Sequence, residues 1–78
     1  MSIEVKYFGI IEELVGKSSE TIDKSQFLNA SSTSKDVLIQ LYPQLKGVSF
    51  QIAVDKALNK EVTNESIEVA LLPPFAGG

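Results

Sequence analysis

The C-terminal stretch, residues 71–78, reads Leu-Leu-Pro-Pro-Phe-Ala-Gly-Gly. It determines where the last strand of any sheet formed by this chain must end. Pro73 and Pro74 have no backbone N–H to donate to a neighbouring strand, so a strand that reaches Leu72 cannot continue. Each proline also holds φ near about −65°, which projects the following residues as a semi-rigid extended arm. The sequence therefore predicts a single folded domain over residues 1–72 and an extended tail over residues 73–78.

The end of the predicted tail has almost no bulk. Gly77 and Gly78 lack a Cβ atom, so a terminal carboxylate can pass through a narrow channel and adopt backbone angles closed to other residues. A frayed end is the alternative interpretation, but frayed ends are usually polar. The preceding residues instead offer apolar surface that is costly to leave in water, which favours a tail that binds a partner. These residues are Pro73, Pro74, Phe75 and Ala76.

Composition limits the chemistry of this chain. Its 78 residues give room for one domain with one hydrophobic core. It has no Cys and no His, which excludes disulfides and thiolate sites and removes the commonest metal ligand and general base. We therefore predict that the chain binds no metal and no cofactor, and that a partner brings any sulfur it handles.

The charge distribution argues against nucleic acid and membrane partners. Seven Lys and no Arg stand against ten acidic residues, giving a net charge of −3, and the lysines are scattered along the chain. Phosphate recognition needs clustered cations and gains from bidentate Arg. No apolar run approaches the ~20 residues that span a bilayer, and the N-terminal stretch does not resemble a signal peptide. The predicted location is the cytoplasm.

Alternation of apolar and polar residues predicts three half-buried strands, over residues 2–8, 50–55 and 67–72. The more polar residues 17–24 are expected to form an edge strand, whose charges discourage unwanted pairing. Residues 57–62 are expected to form a loop or a very short strand. The predicted inner face of the sheet consists of Ile3, Val5, Tyr7, Phe50, Ile52, Val54, Ile67, Val69 and Leu71.

A short helix is predicted directly after the first strand. Ile10, Ile11, Leu14 and Val15 recur there at helical spacing, and Gly16 is expected to cap the C-terminus. Further along, residues 25–34 are mostly small and polar and are predicted to form a loop, with Phe27 and Leu28 as a possible anchor. Asn64-Glu65 is predicted to form a turn before the last strand.

The main helix is predicted to begin after Thr33, which precedes Asp36 by three residues as in a capping box. It should end or kink at Tyr42, because Pro43 disfavours helical geometry in the residue before it. The expected apolar face of this helix consists of Val37, Leu38, Leu41 and Leu45.

These elements predict an α+β fold, with a mixed sheet of four to five strands covered by one main helix and a short helix. If the first and last strands are central and parallel, a right-handed crossover joins them. The last strand is also apolar on its outward side, at Ala70, Leu72 and then Phe75. That side is either covered as part of a central strand or exposed as a docking patch, and the shortness of the chain favours the patch.

Several segments together resemble the small subunit of molybdopterin synthase, a ubiquitin-like sulfur carrier. The most specific is the ending, Val-Ala-Leu-Leu-Pro-Pro-Phe-Ala-Gly-Gly over residues 69–78. The others are Tyr-Phe-Gly at 7–9, Glu-Leu-Val-Gly at 13–16, the helix near Thr33 and the Ala-Val strand at 53–54. The resemblance spans nearly the whole chain and implies a ubiquitin-like β-grasp fold.

The sequence departs from that family at three places. Glu12 stands where Arg is common, Asp55 where Asn is common, and residues 64–66 read Asn-Glu-Ser where an Asp-Gly-Asp turn is usual. The first departure puts the family contacts of that side chain in doubt. The last is a turn variant of little functional weight.

The resemblance also implies a chemistry located at Gly78, with Gly77 beside it. The chain would not be an enzyme on its own but the sulfur-donating subunit of a heterotetrameric synthase. An ATP-dependent activating enzyme would adenylate the Gly78 carboxylate, and sulfur from a donor protein would convert it to a thiocarboxylate. The synthase large subunit would then receive the tail and pass the sulfur to a pterin precursor of the molybdenum cofactor. The partner-binding residues would be Leu72, Pro73, Pro74, Phe75 and Ala76.

Other fates of a Gly-Gly carboxylate stay open from the residues alone. Related sulfur carriers serve thiamine synthesis or tRNA thiolation, and only Pro73, Pro74 and Phe75 favour molybdopterin. A ubiquitin-like modifier would use the same activation but join Gly78 to a target lysine. A plain interaction domain would use neither reaction.

Overall fold

Five strands form one mixed sheet, and the helices pack against one of its faces. The computed structural model describes residues 1–74. In chain order the elements are β1 (Ser2–Tyr7), α1 (Gly9–Val15), β2 (Ser19–Asp23), α2 (Ser25–Leu28), α3 (Ser34–Leu41), a 3₁₀ segment (Pro43–Leu45), β3 (Gln51–Val54), β4 (Ala57–Leu58) and β5 (Glu68–Leu72).

The strand order β2-β1-β5-β3-β4 places the last strand at the centre of the sheet. β1 and β5 are parallel, with Val5 opposite Val69 and Tyr7 opposite Leu71. The other neighbours, β1–β2, β3–β5 and β3–β4, are antiparallel. The first and last strands are thus parallel neighbours inside the sheet, which was the condition for a crossover between them, and the predicted position of the second strand at an edge is confirmed.

The core fills the space between the sheet and the helices. Alternate residues of β1, β3 and β5 point into it, because successive side chains of a strand face opposite sides. Removal of this apolar surface from water is the main term that stabilises the fold. The buried cluster consists of Ile3, Val5, Tyr7, Ile11, Ile22, Phe27, Val37, Leu38, Leu45, Phe50, Ile52, Val54, Val62, Val69 and Leu71.

The first helix forms as its spacing predicts. Gly16 caps α1 in the left-handed conformation, with φ +90°, and its N–H donates to the Glu12 carbonyl at 2.8 Å. A residue with a Cβ would be strained at this φ, which explains why glycine ends the helix. Ile11 is fully buried, whereas Ile10 is exposed on the other side of the helix.

The main helix, α3, also begins and ends where the sequence indicates. The Thr33 hydroxyl accepts a hydrogen bond from the Asp36 N–H at 3.2 Å and so satisfies one of the free donors of the first turn. At the other end Tyr42 leaves helical geometry and Pro43 opens the 3₁₀ segment. Within residues 1–74, no helix has both the length and the apolar character to cross a membrane.

Leu41 lies outside the core, and its predicted place on the buried face of α3 is wrong. Its side chain is 38% exposed, because the helix ends at this residue and the chain then turns away. Leu45 on the 3₁₀ segment is fully buried, so its predicted place in the core is correct although it lies beyond the end of α3.

Ile67 also lies outside the core, although alternation with Val69 predicts it there. It is 74% exposed and precedes the first residue of β5. Its backbone is held by a side chain from outside its own segment, since Asp55 Oδ1 accepts from the N–H groups of Ile67 and Glu68 at 2.9 and 3.1 Å. A carboxylate oxygen at position 55 serves here as an amide oxygen would, so an Asn at this position could accept the same hydrogen bonds.

The prediction of a loop over residues 25–34 is wrong in its first part. Residues Ser25–Leu28 form α2, a single helical turn that buries Phe27. The small polar residues of this segment do not indicate a helical turn. Its first N–H, that of Ser25, donates to Asp23 Oδ1 at 3.0 Å. Phe27 is thus the anchor that the sequence suggests, whereas Leu28 stays exposed.

Candidate functional site

Three of the predicted partner-binding residues, Leu72, Pro73 and Pro74, lie in the part of the chain that the structure describes. The other predicted site residues lie outside the described residues. They are Phe75, Ala76, Gly77 and Gly78. The candidate site is therefore built from the end of β5, where the chain leaves the sheet, and from the surface around that end.

The end of β5 is held on both sides. The Phe8 N–H donates to the Leu71 carbonyl at 3.2 Å, which continues the parallel pairing with β1. On the other side Leu72 pairs with Gln51 of β3. Because β5 is the central strand, the segment that follows Leu72 starts from a fixed position in the most restrained part of the sheet.

Gly9 makes a close contact with Pro73. A Cβ atom added to Gly9 would lie 3.0 Å from Pro73 Cγ, a distance at which the proline ring would have to move. Gly9 also has φ +57°, in the left-handed region where other residues are strained. The lack of a side chain at Gly9 therefore leaves room for the Pro73 ring where the chain leaves β5.

Sequence reasoning missed this role of Gly9 and treated it only as the end of an alternating pattern. A usable signal was present, however. If the first and last strands are parallel neighbours, the residues just after each strand meet at the same edge of the sheet. A glycine directly after one strand and a proline directly after the other would then lie side by side.

The outer face of the sheet carries an apolar surface next to this exit, here called the outer patch. Across the strands, Phe8 continues the register beside Leu72, and Ala70 pairs with Ala53, which in turn pairs with Leu58. The outer patch consists of Phe8, Ala53, Leu58, Ala70 and Leu72.

Exposure within the outer patch is uneven. Ala70 is only 8% exposed, because its short side chain lies on the central strand between Lys6 of β1 and Ala53 of β3. Phe8 is 43% exposed and Leu58 is exposed to a similar degree. The apolar surface offered to a partner is thus contributed more by Phe8 and Leu58 than by Ala70, which forms a flat floor between them.

Two polar features border the outer patch. Lys6, directly opposite Ala70, forms a 3.2 Å ion pair with Glu68 on the same face. Gln51 has a buried side-chain oxygen with no hydrogen-bond partner within residues 1–74. An unpaired buried acceptor costs free energy, so the Gln51 amide beside Leu72 is a place where a donor from a bound partner would be favourable.

The groups with shifted pKa values lie elsewhere, at the contact between β2 and the end of α3. Tyr7 and Tyr42 both donate to Glu20 Oε2, and Lys17 donates to Glu20 Oε1 at 3.2 Å. Burial raises the pKa of Tyr7, and the hydrogen bond to Glu20 adds to the rise. Burial works to raise the pKa of Glu20, but the hydrogen bonds from Tyr42, Tyr7 and Lys17 outweigh it and lower that pKa.

This cluster fixes structure and is poorly suited to chemistry. Both tyrosine hydroxyls are engaged by the same carboxylate, and the rings of Tyr7 and Tyr42 pack edge to face with centroids 5.9 Å apart. The cluster joins β1, β2 and the end of α3 on the inner side of the sheet. The outer patch lies on the opposite face of the sheet.

Comparison with known proteins identifies the architecture. No model of a known protein family matches the sequence. Among solved structures, SAMP1 from Haloferax volcanii superposes with a TM-score of 0.67 at 21% identity, covering 100% of both chains. A putative molybdopterin converting factor, subunit 1, from Pyrococcus furiosus has a TM-score of 0.70 at 20% identity, covering 96% of this chain and 99% of its own.

A third similar structure is the Haloferax volcanii HVO 2177 protein, solved in solution. It has a TM-score of 0.64 at 22% identity and covers 100% of this chain and 87% of its own. At this level of identity the comparisons establish the fold. The chain has the ubiquitin-like β-grasp architecture that the sequence resemblance implied, with a five-stranded mixed sheet and helices on one face.

Proposed function

We propose that this chain is a sulfur carrier that donates sulfur from its C-terminus to a pterin precursor during molybdenum cofactor biosynthesis. The observation that carries the proposal is the tail exit. The central strand of a β-grasp sheet runs directly into Pro73, which lies against Gly9, and Pro74, and precedes Phe-Ala-Gly-Gly. Similarity in fold to the Pyrococcus protein, whose name refers to molybdopterin conversion, supports the same proposal.

The proposed chemistry is confined to the Gly78 carboxylate. A carboxylate is a poor electrophile until its oxygen becomes a good leaving group, so an activating enzyme first joins it to AMP from ATP and releases pyrophosphate. The terminal sulfur of a donor persulfide then attacks the carbonyl carbon, and AMP leaves. A thiol cleaves the resulting acyl disulfide, which frees a thiocarboxylate on Gly78 and forms a disulfide from the donor and the thiol.

The described residues of this chain have a positioning role in that scheme. The pairing of Leu72 and the space that Gly9 leaves for Pro73 fix the point from which the chain continues, and in this scheme only the residues beyond that point need enter a partner's active site. The outer patch beside the exit provides apolar surface on which the synthase large subunit and the activating enzyme would dock in turn. Pterin-binding groups and acid–base groups would belong to the partner.

The tail residues complete the proposed partner surface. Leu72, Pro73, Pro74, Phe75 and Ala76 are apolar, and an aromatic side chain such as Phe75 is a typical anchor of an interface. Gly77 would leave room around the reacting group because it has no side chain. In this scheme the chain is a non-catalytic subunit of a heterotetrameric synthase, acts in the cytoplasm, and binds neither metal nor cofactor itself.

A ubiquitin-like protein modifier is the second candidate, because the same fold and the same Gly-Gly ending suit conjugation of Gly78 to a target lysine. Carriers for thiamine synthesis or tRNA thiolation differ from the first proposal only in the acceptor. The acceptor distinguishes the carriers, whereas the fate of the carboxylate distinguishes a carrier from a modifier.

Intact-mass analysis of the protein purified from cells that make its sulfur-transfer partners tests the proposal. A carrier gains the mass difference between one sulfur and one oxygen atom. A modifier appears as a ladder of heavier conjugates, and an interaction domain shows neither change. Addition of the purified thiocarboxylate form to synthase large subunit and pterin precursor then tests whether molybdopterin is the product.

A further inference from the structure

The first helix lies beside the point where the tail begins. A Cβ atom placed on Gly9 would meet Pro73 Cγ at 3.0 Å, so the side of α1 that carries Gly9 is turned toward the start of the tail. Pro74, which follows, is exposed. A partner that takes up the tail must therefore approach this side of α1.

Helical spacing places two carboxylates on the same side. Glu12 and Glu13 follow Gly9 by three and four residues, so all three share one side of the helix. Helical side chains lean toward the N-terminus of their helix, which directs both carboxylates over the turn that contains Gly9. This surface, defined by Gly9, Glu12 and Glu13, is here called the exit face.

The described part of the fold makes no ion pair with these two charges. Both glutamates are exposed, and the ion pairs within residues 1–74 are formed by other residues, Lys6 with Glu68 and Lys17 with Glu20. α1 has no basic residue in its last turn, and its buried contact is made by Ile11. The exit face therefore presents negative charge to solvent next to the start of the tail.

Apolar surface continues from the outer patch onto the same helix. Phe8 belongs to the outer patch and is 43% exposed, and Ile10 in the first turn of α1 is 48% exposed. An apolar region bordered by charged side chains is the usual anatomy of a protein–protein interface. The surface around the start of the tail thus has an apolar part, at Phe8 and Ile10, and an acidic part, the exit face.

We propose that the exit face binds a basic surface at the entrance to the active site of the activating enzyme. This inference rests on the proposed sulfur-carrier function and adds the chemistry of one partner surface. The enzyme has to hold the triphosphate of ATP and the tail carboxylate side by side before it joins them, which requires cationic side chains. Residues 73–78 can span at most about 20–22 Å, so the enzyme must come close to the exit face to reach Gly78.

Charge selects this partner over two others. The exit face and the free tail carboxylate are both negative, so a cationic entrance attracts both and raises the rate of encounter. A second copy of this chain would place like charges against each other, which is unfavourable. An acidic protein surface would be repelled for the same reason.

Charge reversal at Glu13, compared with a matched control, tests the inference. Glu13→Lys and Glu65→Lys each change the net charge from −3 to −1, because one negative charge becomes one positive charge. Glu65 is exposed and precedes β5, so it lies at the opposite end of the central strand from the tail. A lysine near the C-terminal end of α1 suits the helix dipole, so the Glu13 variant should fold.

The measurement is the rate of pyrophosphate release by the activating enzyme, with ATP and a limiting amount of the full chain. We expect Glu13→Lys to lower kcat/KM about threefold or more at low salt while kcat stays parental, since the contact acts on encounter and not on chemistry. Glu13→Gln, which removes only the charge, should show a smaller loss in the same direction. Glu65→Lys should stay close to the parent, and added salt should shrink the difference between the two Lys variants, because it screens exposed charges.

Three results would overturn the inference while leaving the proposed function in place. The first is an equal loss of kcat/KM in both Lys variants, which would reflect net charge alone. The second is a Glu13→Lys variant that is adenylated as fast as the parent or faster, as expected for an uncharged or acidic partner surface. The third is a loss confined to kcat. Absence of adenylation in the parent would instead contradict the proposed function, and this inference with it.

Discussion

Gly9 and Pro73 lie together at the edge of the sheet, where there is little room for a Cβ atom at position 9. Gly9 adopts φ +57° at the end of β1 and lies against the Pro73 ring at the end of β5. Two independent constraints act at this position, the positive φ and the lack of space for a Cβ. A substitution at Gly9 therefore strains the backbone at the start of α1 and presses on the Pro73 ring.

Gly9→Ala is expected to destabilise the fold by about 1–3 kcal/mol, from left-handed strain together with displacement of Pro73. Gly47→Ala is the matched control, because Gly47 has φ +84° but open space where a Cβ would be placed. Chemical denaturation should show a larger loss for Gly9→Ala than for Gly47→Ala. Equal losses would mean that the contact with Pro73 has no energetic weight.

Glu20 provides a prediction about acid stability. Its pKa is lowered in the folded state, so it contributes stability that is present above the ordinary Glu pKa and is lost as the pH falls through the folded value. Glu20→Gln removes the charge but keeps the shape, and it should cost about 1 kcal/mol at neutral pH. Urea unfolding at several pH values should show the difference from the parent shrinking below about pH 4.

Tyr7 belongs to the same cluster, and its effect on stability is expected at alkaline pH. Its pKa is raised, so the protonated form stabilises the fold below the ordinary tyrosine pKa of about 10, and this contribution is lost as the pH rises further. A Glu20→Gln variant whose stability differs from the parent by the same amount at every acidic pH would contradict this account of the cluster.

At the scale of the elements, the apolar spacing in the sequence and the observed structure differ at the end of α3. The apolar spacing continues through Leu41 to Leu45, so sequence alone places both on one helical face. Pro43 converts the last turn into a 3₁₀ segment, which rotates Leu45 into the core and leaves Leu41 beside β2. The position of the break was predictable from the proline, but the new direction of the chain depends on tertiary packing.

Leu38 and Leu41 give a direct test of that geometry. Leu38 is fully buried, so Leu38→Ala should cost about 2–5 kcal/mol through lost transfer free energy and a residual cavity. Leu41→Ala should cost less than about 1 kcal/mol, as for other surface positions. Thermal or chemical unfolding of both variants provides the measurement, and similar losses for the two would show that Leu41 is part of the core after all.

The outer patch and the tail make a prediction about binding. Phe75→Ala and Phe8→Ala should each weaken binding to the synthase large subunit by more than about 1 kcal/mol, as expected when an aromatic anchor is removed. Leu28→Ala is the matched control, because Leu28 is similarly exposed but lies on the helical side. Titration calorimetry should find weaker binding only for the two Phe variants, with unchanged melting temperatures. Parental affinity for both Phe variants would remove the patch from the docking surface.

At the scale of the whole molecule, the sequence predicts the strands of the sheet better than it predicts the helices and connecting segments. Strict alternation fixes the faces of β1, β3 and β5, and the double proline fixes the end of the last strand. The sequence does not reveal α2, in which polar residues surround one buried aromatic side chain. Nor does it reveal the hydrogen bond from the Ile67 N–H to Asp55 where Ile67 is exposed. Gly9 acquires its role only when β1 and β5 become parallel neighbours, since the two residues in contact lie far apart in sequence.

The Gly78 deletion tests the central claim most directly. It leaves a carboxylate on Gly77 withdrawn by about 3.3–3.6 Å of extended chain, whereas a misplacement of ~1 Å can already cost 10²-fold in rate. The measurement is thiocarboxylate formation with activating enzyme, ATP and a sulfur donor, followed by intact mass. The account predicts full conversion of the parent, none of the deletion variant, and the same thermal melt for both. A deletion variant that acquires sulfur at the parental rate would contradict a carrier mechanism located at the C-terminus.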